Sequence, residues 1–591
     1  MTCPIPPRRG ARPRRRAPRR RAPRLPRLPR RACSRLENAS ERQGGSTCRS
    51  ATWAEGQQDL DTSASRSESS RATLPAWKRL GCGERFPLAR VRRPRRLGGG
   101  AARDVDARVG ARGPRPQTTV GGPRPASAPR LDGHASRKLA GAGGSFRRVV
   151  FRQFVDDDLG CASYLIGDSG AGEAFVVDPA YAIEPYLEAA AEEGFRITRV
   201  LETHTHADHV SGHGRLALEH GVTVSIHPLA APEYPFAPLE DGQVLHVGTV
   251  SIRIVHTPGH RPEHCAFVVD ERLVLTGDSL FVGDAARPDL AVDAREGAQE
   301  LFHSLQRLTA LHDGVEMFPG HVAGSLCGAA MSPQRSSTIG DEKRTNVALA
   351  FADMDEFVGT SAAVSTPRPP TTARVVQLNR GPFVGAPAPL RTSPATDCCK
   401  EGVTVLDVRS ADAHAAGHVH GAINVPVCGN SFATRAGFVL DPDERIVLHA
   451  SSREEAERAA RGLRSTGFLE LDGYVVDVDA TEAANPITID ELARLLDNDA
   501  VTVVDVREKD ERDAGFIPGS VHMPYRLLRA CGVDGIANGK PIVTICESGA
   551  RAGIAASVLV AAGIDARPVL NGGIDDWRGE TVEFRRCGSS G

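Results

Sequence analysis

The chain has 591 residues, enough for three or four domains of ordinary size. Its 73 Lys and Arg balance 73 Asp and Glu, but the first 150 residues are strongly basic and the remainder is acidic. An acidic folded part argues against binding to nucleic acid. The sequence contains no run of about 18 apolar residues, so it predicts no membrane span. The 13 cysteines are scattered, which indicates a reducing compartment, and we expect a cytoplasmic protein.

Residues 1–147 are rich in Arg, Pro, Gly, Ala and Ser and have almost no apolar periodicity. Such a segment cannot bury enough apolar surface to offset its loss of conformational entropy, so we expect a disordered basic extension. Three interpretations stay open: a nucleic-acid-binding tail, a transit peptide, or an unstructured extension translated from a start chosen too far upstream.

Residues 148–360 are expected to form an α/β layered domain. Apolar runs predict strands at 149–154, 161–166 and 173–179, and helical spacing follows from residue 183. A short buried strand then ends at Leu201. Strand, helix, strand and loop in this order place a site on the loops at the strand ends.

A cluster of metal-binding residue types directly follows this strand. The segment 203–209, THTHADH, holds three imidazoles and a carboxylate, and further candidates lie at turn-like positions after apolar runs. The seven candidate ligands are His204, His206, Asp208, His209, His260, Asp278 and His321. Neutral imidazole and carboxylate suit zinc, iron or manganese, and the site needs no cysteine ligand.

These residues resemble the signature of the metallo-β-lactamase superfamily over about residues 149–358, which implies an αββα sandwich. In its dinuclear hydrolase branch, one metal would be held by His204, His206 and His260, and a second by Asp208, His209 and His321, with Asp278 between them. In its persulfide dioxygenase branch, a single Fe(II) would be held by His204, His260 and Asp278. Both branches keep all seven residues, so the motif does not choose between them. The metal content, one iron or two zinc ions per chain, distinguishes the dioxygenase from the hydrolase.

A Pro- and Thr-rich stretch lies within 361–385, which we interpret as a linker. An internal repeat follows it. Residues 404–409, TVLDVR, return as TVVDVR at 502–507, and the likeness continues at the same offset. We therefore expect two copies of one small α/β domain, at 386–480 and 485–582.

The second copy has a loop of catalytic type. Residues 546–551, CESGAR, follow a buried strand and lead into a helix. This resembles the rhodanese family, whose active loop reads C-x-x-G-x-R, and implies a reactive Cys546 with Arg551 as a cation for anionic sulfur compounds. Backbone N–H groups and the helix N-terminus would stabilise a thiolate or persulfide. In the first copy Ala450 and Glu455 take these two positions, so we expect that copy to be inactive.

The domain order resembles the multidomain persulfide dioxygenase-sulfurtransferases of sulfide detoxification. That family implies oxidation of a low-molecular-weight thiol persulfide to sulfite and thiol, and sulfur transfer to sulfite giving thiosulfate. Arg287 matches an arginine that would contact the substrate carboxylate, with a surface ion pair as the alternative. Cys327 is a candidate sulfur relay, with a plain buried thiol as the alternative. Ala323 stands where the glutathione-persulfide branch has a tyrosine, which argues against a preference for glutathione.

Two other functions stay open. A dinuclear zinc thioesterase of the glyoxalase II kind would cleave acylglutathione, but that group has a C-terminal helical region where this chain has a linker and rhodanese copies. A protein-docking platform is disfavoured by the intact Cys546 loop. The predicted partners are therefore a thiol persulfide, dioxygen and sulfite, without nucleic acid or membrane, and a homo-oligomer is one option.

Overall fold

The computed structural model describes most of the chain after residue 147. The described residues are 137–140, 148–289, 291–322, 331–363, 367–531, 536 and 539–584. Most of the predicted extension 1–147 lies outside them, and so do Ala323 and Cys327. Within the described ranges, no helix is long and apolar enough to cross a membrane.

The first domain is a pair of β-sheets flanked by helices. Its strands are β1 (Arg137–Ala140), β2 (Arg148–Val155), β3 (Ala162–Asp168), β4 (Glu173–Val177), β5 (Arg196–Leu201), β6 (Thr223–Ile226), β7 (Ala237–Pro238), β8 (Val244–Val247), β9 (Val250–His256), β10 (Cys265–Val269), β11 (Leu273–Gly277), β12 (Leu280–Phe281), β13 (Asp284–Ala285), β14 (Glu316–Pro319) and β15 (Ser337–Thr338). Its helices are α1 (Glu184–Glu193), α2 (His213–His220), α3 (Ala294–Thr309), α4 (Ile339–Thr345) and α5 (Met354–Ser361).

One sheet has the strand order β1-β2-β3-β4-β5-β6-β7 and the other β15-β14-β11-β10-β9-β8. Strands β1 to β4 are antiparallel and β4 to β7 are parallel. Strand β1 lies within the segment that we predict as disordered. Its backbone pairs antiparallel with β2, and such pairing needs no apolar side chains.

Side-chain alternation explains why the sheets stack. In β2, Val149 and Phe151 face the second sheet, whereas Val150 packs on the helix side with Ile183 and Tyr186. The outer face of the second sheet packs on α3 and α5. The resulting αββα sandwich confirms the predicted fold class.

The candidate ligands follow the ends of four strands of the sandwich. His204 lies three residues after β5 and His260 four residues after β9, while Asp278 directly follows β11 and His321 lies two residues after β14. Because these strand ends meet at one edge of the sandwich, residues far apart in sequence come together there.

The segment predicted as a linker contains α6 (Thr372–Arg380), which packs on the first domain. The buried Asn379 amide donates to the carbonyl oxygens of His206 and His209, at 3.0 and 2.8 Å, and accepts the N–H of Ser211 at 2.8 Å. The segment is therefore more than a spacer, because it fastens the loop that carries the histidine cluster.

The rest of the described chain forms two parallel sheets covered by helices. Their strands are β16 (Val403–Asp407), β17 (Ile423–Asn424), β18 (Arg445–His449), β19 (Gly473–Val475), β20 (Thr502–Asp505), β21 (Val521–His522), β22 (Ile542–Ile545) and β23 (Ala566–Pro568). Their helices are α7 (Ala411–Ala416), α8 (Phe432–Val439), α9 (Arg453–Ser465), α10 (Ile489–Asp497), α11 (Lys509–Asp513), α12 (Leu528–Cys531) and α13 (Ala550–Ala561). The orders β17-β16-β18-β19 and β21-β20-β22-β23 are equivalent, so the internal repeat corresponds to two small α/β units.

The first of these units packs directly on the first domain. The carboxylate of Asp158 accepts the N–H groups of Phe432 and Ala433, at 2.5 and 2.8 Å, at the start of α8. Leu159 and Cys161 belong to the same apolar core as α8 and α9. A residue of the first domain therefore acts as the N-terminal cap of a helix in the next domain.

We expect Asn379→Ala to destabilise the protein by about 3 kcal/mol or more, because three buried backbone groups would lose their partner at about 1–3 kcal/mol each. Thermal unfolding and hydrogen exchange at residues 206–211 measure the effect. Gln377→Ala, at an exposed position of the same helix, is the control and should stay within about 0.5 kcal/mol of the wild type. Equal stability of the two variants would contradict the fastening role.

We expect Asp158→Ala to expose the start of α8 at a cost of about 1–2 kcal/mol, since the cap is lost. Hydrogen exchange at Phe432 and Ala433 should become faster. Asp157→Ala is the matched control, because the side chain of Asp157 is 72% exposed. Unchanged exchange in Asp158→Ala would mean that the cap does not hold the two domains together.

Candidate metal centre and cysteine loop

Three of the predicted ligands form one compact buried group. His204, His260 and Asp278 are each 1% exposed, and one donor atom from each lies within 4.8 Å of the others. Asp278 Oδ2 is 3.4 Å from His260 Nε2 and 4.0 Å from His204 Nε2. One ion at ordinary bond lengths of about 2.1 Å could contact all three.

Neighbouring groups determine which ring nitrogen each histidine presents. Thr203 Oγ1 donates to Asp178, so it accepts Nδ1–H of His204 at 2.9 Å. His260 Nδ1 lies 3.0 Å from the carbonyl oxygen of Arg287, which can only accept a hydrogen bond. Both rings therefore carry the proton on Nδ1 and present a Nε2 lone pair toward Asp278, as metal-binding histidines do.

The protonation states suit a cation. Burial, with His206 and His260 nearby, holds the pKa of His204 well below its ordinary value, so the ring is neutral. Burial alone would raise the pKa of Asp278, but His321 and His260 bring it down to about 2. Neutral imidazoles and an ionised carboxylate are the forms that bind metals.

Two buried atoms in this group have no hydrogen-bond partner among the described residues, namely His204 Nε2 and Asp278 Oδ2. Buried polar atoms are normally paired, because leaving one unpaired costs about 1–3 kcal/mol. Both atoms face the same small volume. The residues present therefore fit a bound metal ion.

His264, which sequence reasoning missed, supports Asp278. The backbone N–H of Asp278 donates to His264 Nε2 at 2.9 Å, and burial, with His260 nearby, lowers the pKa of His264 to about 3. Gly277 has φ 49°, and a Cβ there would lie 2.6 Å from His264 Nε2. The turn before Asp278 thus requires glycine for both its conformation and its contact.

The structure places His206 in two further groups of metal-binding type, one with Asp208 and His209 and one with Asp178 and Glu202. Its Nε2 lies 3.2 Å from both Asp178 Oδ1 and Glu202 Oε2. Burial alone would lower the pKa of His206, but the two carboxylates raise it well above its ordinary value. His206 is therefore held as a cation by two acids that sequence reasoning missed. For Glu202, its place directly after β5, at the strand end where the site lies, is a signal that could have identified it.

Asp208 is the centre of a further group. Its Oδ2 accepts from His321 Nε2 at 2.8 Å and from Cys161 Sγ at 3.0 Å, and lies 3.3 Å from His209 Nδ1. His321 also contacts Asp278 Oδ1 through Nδ1 at 2.8 Å, so it joins this group to the first. Cys161 was not predicted. Burial and the nearby Asp208 raise its pKa well above the ordinary value, so it is a protonated thiol that donates.

A small cavity of about 60 Å³ lies against the first group. It is lined by His260, Asp208 and Arg287 of the first domain, together with Pro369 of the segment predicted as a linker and Thr434 of the first repeat unit. The Arg287 guanidinium makes two hydrogen bonds to Asp289, at 2.6 and 2.7 Å. Arg287 is thus beside the predicted metal ligands and engaged in an ion pair, while Cys327 lies outside the described residues.

Cys546 directly follows β22 and is 1% exposed. Its Sγ accepts the N–H of Gly549 at 3.1 Å, at the start of α13. A backbone N–H and a helix N-terminus both stabilise negative charge on sulfur. Arg551 makes hydrogen bonds of 2.6 Å to both carboxylate oxygens of Glu511, so this cation is positioned by a partner that sequence reasoning did not identify.

In the first unit, Ala450 occupies the corresponding position after β18 and is 1% exposed. Its neighbour Glu455 accepts the N–H of Ser451 at 2.6 Å. Alanine thus stands at the thiol position of the other copy. At the arginine position, the Glu455 carboxylate caps the start of the helix. The loop therefore lacks a thiol at the position of Cys546, and the inactivity of this copy stays a prediction.

Comparison with known families agrees with this architecture. Residues 156–321 match the metallo-beta-lactamase superfamily, and residues 396–478 and 488–580 match the rhodanese-like domain. A solved metallo-beta-lactamase from Staphylococcus aureus is 31% identical, with a TM-score of 0.52, over 56% of this chain and 99% of that one.

Two curated relatives resemble the first domain. The chain is 28% identical to the human mitochondrial persulfide dioxygenase ETHE1 over 239 residues, which are 40% of this chain and 89% of the relative. It is 35% identical to the hydroxyacylglutathione hydrolase of Methylococcus capsulatus over 165 residues, 27% of this chain and 60% of the relative. The chain therefore belongs to the metallo-β-lactamase superfamily, with two rhodanese-like domains following the metallo-β-lactamase domain.

Proposed function

We propose that the chain oxidises a low-molecular-weight thiol persulfide to sulfite and free thiol at a single iron. Dioxygen would supply two of the sulfite oxygens and water the third, with two protons released. The observation that best supports one metal is the buried group of His204, His260 and Asp278, in which His204 Nε2 and Asp278 Oδ2 have no hydrogen-bond partner among the described residues. The similarity to a persulfide dioxygenase over 89% of its length supports the substrate class.

Each side chain has a role in this proposal. His204 and His260 would present Nε2, and Asp278 would present Oδ2, because their other polar atoms are already engaged. When bound by two histidines and one carboxylate, iron supplies redox chemistry between dioxygen and a substrate sulfur. The small adjoining cavity would exclude bulk water from the terminal sulfur of the persulfide.

We further propose that Cys546 carries a sulfane sulfur and transfers it to sulfite. A thiol persulfide would donate its terminal sulfur to the Cys546 thiolate and leave as the thiol. The sulfite sulfur would then attack the terminal sulfur of the Cys546 persulfide, and the S–S electron pair would remain on Cys546. The Gly549 N–H stabilises the thiolate that leaves.

A dinuclear hydrolase of acylglutathione is the alternative. It is supported by the 35% identity to a hydroxyacylglutathione hydrolase and by the retained group around Asp208. It is less favoured because Asp208 Oδ2 already receives His321 and Cys161. Metal content separates the two proposals.

We expect the purified protein to hold about one iron per chain and to consume dioxygen when given a thiol persulfide. Metal analysis, oxygen uptake and sulfite release measure this. Zinc at about two per chain, with hydrolysis of acylglutathione and no oxygen uptake, would establish the alternative instead.

His260→Ala should lose iron and reduce oxygen uptake by about 100-fold or more, since one of three ligands is removed. His246→Ala is a matched control because His246 is an exposed histidine on β8. It should bind iron like the wild type. Full iron occupancy in His260→Ala would rule out the proposed ligand set.

Cys546→Ser should abolish thiosulfate formation and leave oxygen uptake within about twofold of the wild type, because the sulfur-transfer site contains no predicted metal ligand. Cys531→Ser, at an exposed cysteine of the same unit, should retain both activities. Loss of both activities in Cys546→Ser would contradict two independent sites.

A further inference from the structure

A second, larger cavity lies between the loops of the metallo-β-lactamase domain and the first rhodanese-like domain. Its volume is about 440 Å³, within the range of about 300–1,000 Å³ that is typical of small-molecule sites. The residues that matter for its chemistry are Asp156, Asp157, Cys161, His209, Arg458 and Arg461. We propose that this cavity binds the carrier part of the thiol persulfide, and that Arg458 and Arg461 of the inactive rhodanese-like domain contact its anionic groups.

The cavity adjoins the metal pocket. Leu159 lines both spaces. Cys161 lines the larger one and Asp208 the smaller, and their side chains touch at 3.0 Å. The contact between Cys161 and Asp208 separates the two spaces. A thiol held in the larger cavity therefore lies one layer of side chains from the smaller cavity beside His260. The inference rests on the proposed function, because it assigns a place to the carrier thiol of that reaction.

The two arginines lie on one face of α9 and are exposed. Residues three apart on a helix are neighbours, and two like charges in this arrangement repel each other. No ion pair of Arg458 or Arg461 is present among the described residues. By contrast, Arg453 on the same helix makes a hydrogen bond to Glu457 at 2.8 Å. Guanidinium groups bind carboxylate and phosphate through paired N–H groups, so an anionic ligand would relieve the repulsion.

Acidic residues of the first domain also line the cavity. Asp156 uses Oδ1 to accept the N–H groups of Asp158 and Leu159, at 2.9 and 3.2 Å. The exposed Asp157 stands next to it. A cavity lined by both acidic and basic side chains suits a ligand that carries both an ammonium and a carboxylate. The geometry points to a thiol of the amino-acid or small-peptide class.

His209 provides an independent indication of a ligand. It is 3% exposed and lines the cavity, and its Nε2 has no hydrogen-bond partner among the described residues. Its Nδ1 lies 3.3 Å from Asp208. A buried ring nitrogen without a partner is unfavourable unless a ligand or water meets it. A polar group of the bound thiol would do so.

Titration calorimetry on the metal-loaded full chain tests the site. The probes are glutathione, which has carboxylates and an ammonium, coenzyme A, which has phosphates but no ammonium, and cysteamine, which has only an ammonium. We expect glutathione to bind most tightly of the three, in contrast to the expectation from Ala323, because both basic and acidic side chains line this cavity. Its affinity should fall about tenfold or more in the double variant Arg458→Ala/Arg461→Ala, because two charge-assisted contacts are lost. Arg453→Ala is the matched control and should change the affinity less than about twofold.

Equal glutathione affinity in the double variant and the wild type would overturn the proposal. Tighter binding of coenzyme A than of glutathione would also overturn the amino-acid class and indicate a phosphate-bearing thiol. In turnover with glutathione persulfide, the double variant should show KM raised about tenfold and kcat within about twofold of the wild type. An unchanged KM with normal oxygen uptake would refute this site but leave the dioxygenase proposal standing. Arginine-dependent binding of glutathione without any oxygen uptake would support the site and refute the dioxygenase.

Discussion

The central constraint on this molecule is the cost of burying imidazoles and carboxylates at the ends of strands. His204, His260 and Asp278 are almost completely removed from solvent. Hydrogen bonds to Thr203 Oγ1 and to the Arg287 carbonyl engage one nitrogen of each ring and leave the other facing Asp278. Such a group is unfavourable when empty, because buried polar atoms lack partners, and a cation removes that cost. The metal is therefore expected to contribute to folding as well as to chemistry.

The same constraint explains why neighbouring acids are needed. His206 lies on the same loop as His204, but its surroundings differ. Two buried carboxylates, Asp178 and Glu202, hold His206 as a cation. Asp208 is in turn neutralised by His321. Charges of opposite sign alternate through the buried loop, and each pair compensates the desolvation of the next. His206 Nε2 and Asp208 Oδ2 thus face charged partners within the protein, whereas the donor atoms of His204, His260 and Asp278 face one another.

Much of this arrangement could be predicted from the sequence. Apolar periodicity located the strands, and the THTHADH segment together with later turn residues identified side chains that the fold does bring to one edge. The repeat of TVLDVR also corresponds to equivalent strands, and Asp407–Arg409 and Asp505–Arg507 form equivalent ion pairs. These features depend on local pattern, which a single sequence contains.

Long-range partners could not be predicted in the same way. Glu202, Asp178 and Cys161 are ordinary residue types in apolar surroundings, and only the packing of the two sheets brings them to the site. Asn379 lies 168 residues from Ser211, in a stretch whose composition is typical of a linker. Its contacts depend on α6 packing against the loop, which no local pattern encodes.

The first rhodanese-like domain joins the metallo-β-lactamase domain to the second rhodanese-like domain. The start of α8 receives its cap from Asp158 of the first domain, while Phe438 near its end packs on Tyr525 of the second rhodanese-like domain. Arg529 of that domain also donates to the Val439 carbonyl at 2.7 Å. A domain with these contacts on two sides is constrained by packing, independent of any chemistry at the loop of Ala450. Its contacts therefore give it a structural role between the sandwich and the second rhodanese-like domain, separate from any activity of its own.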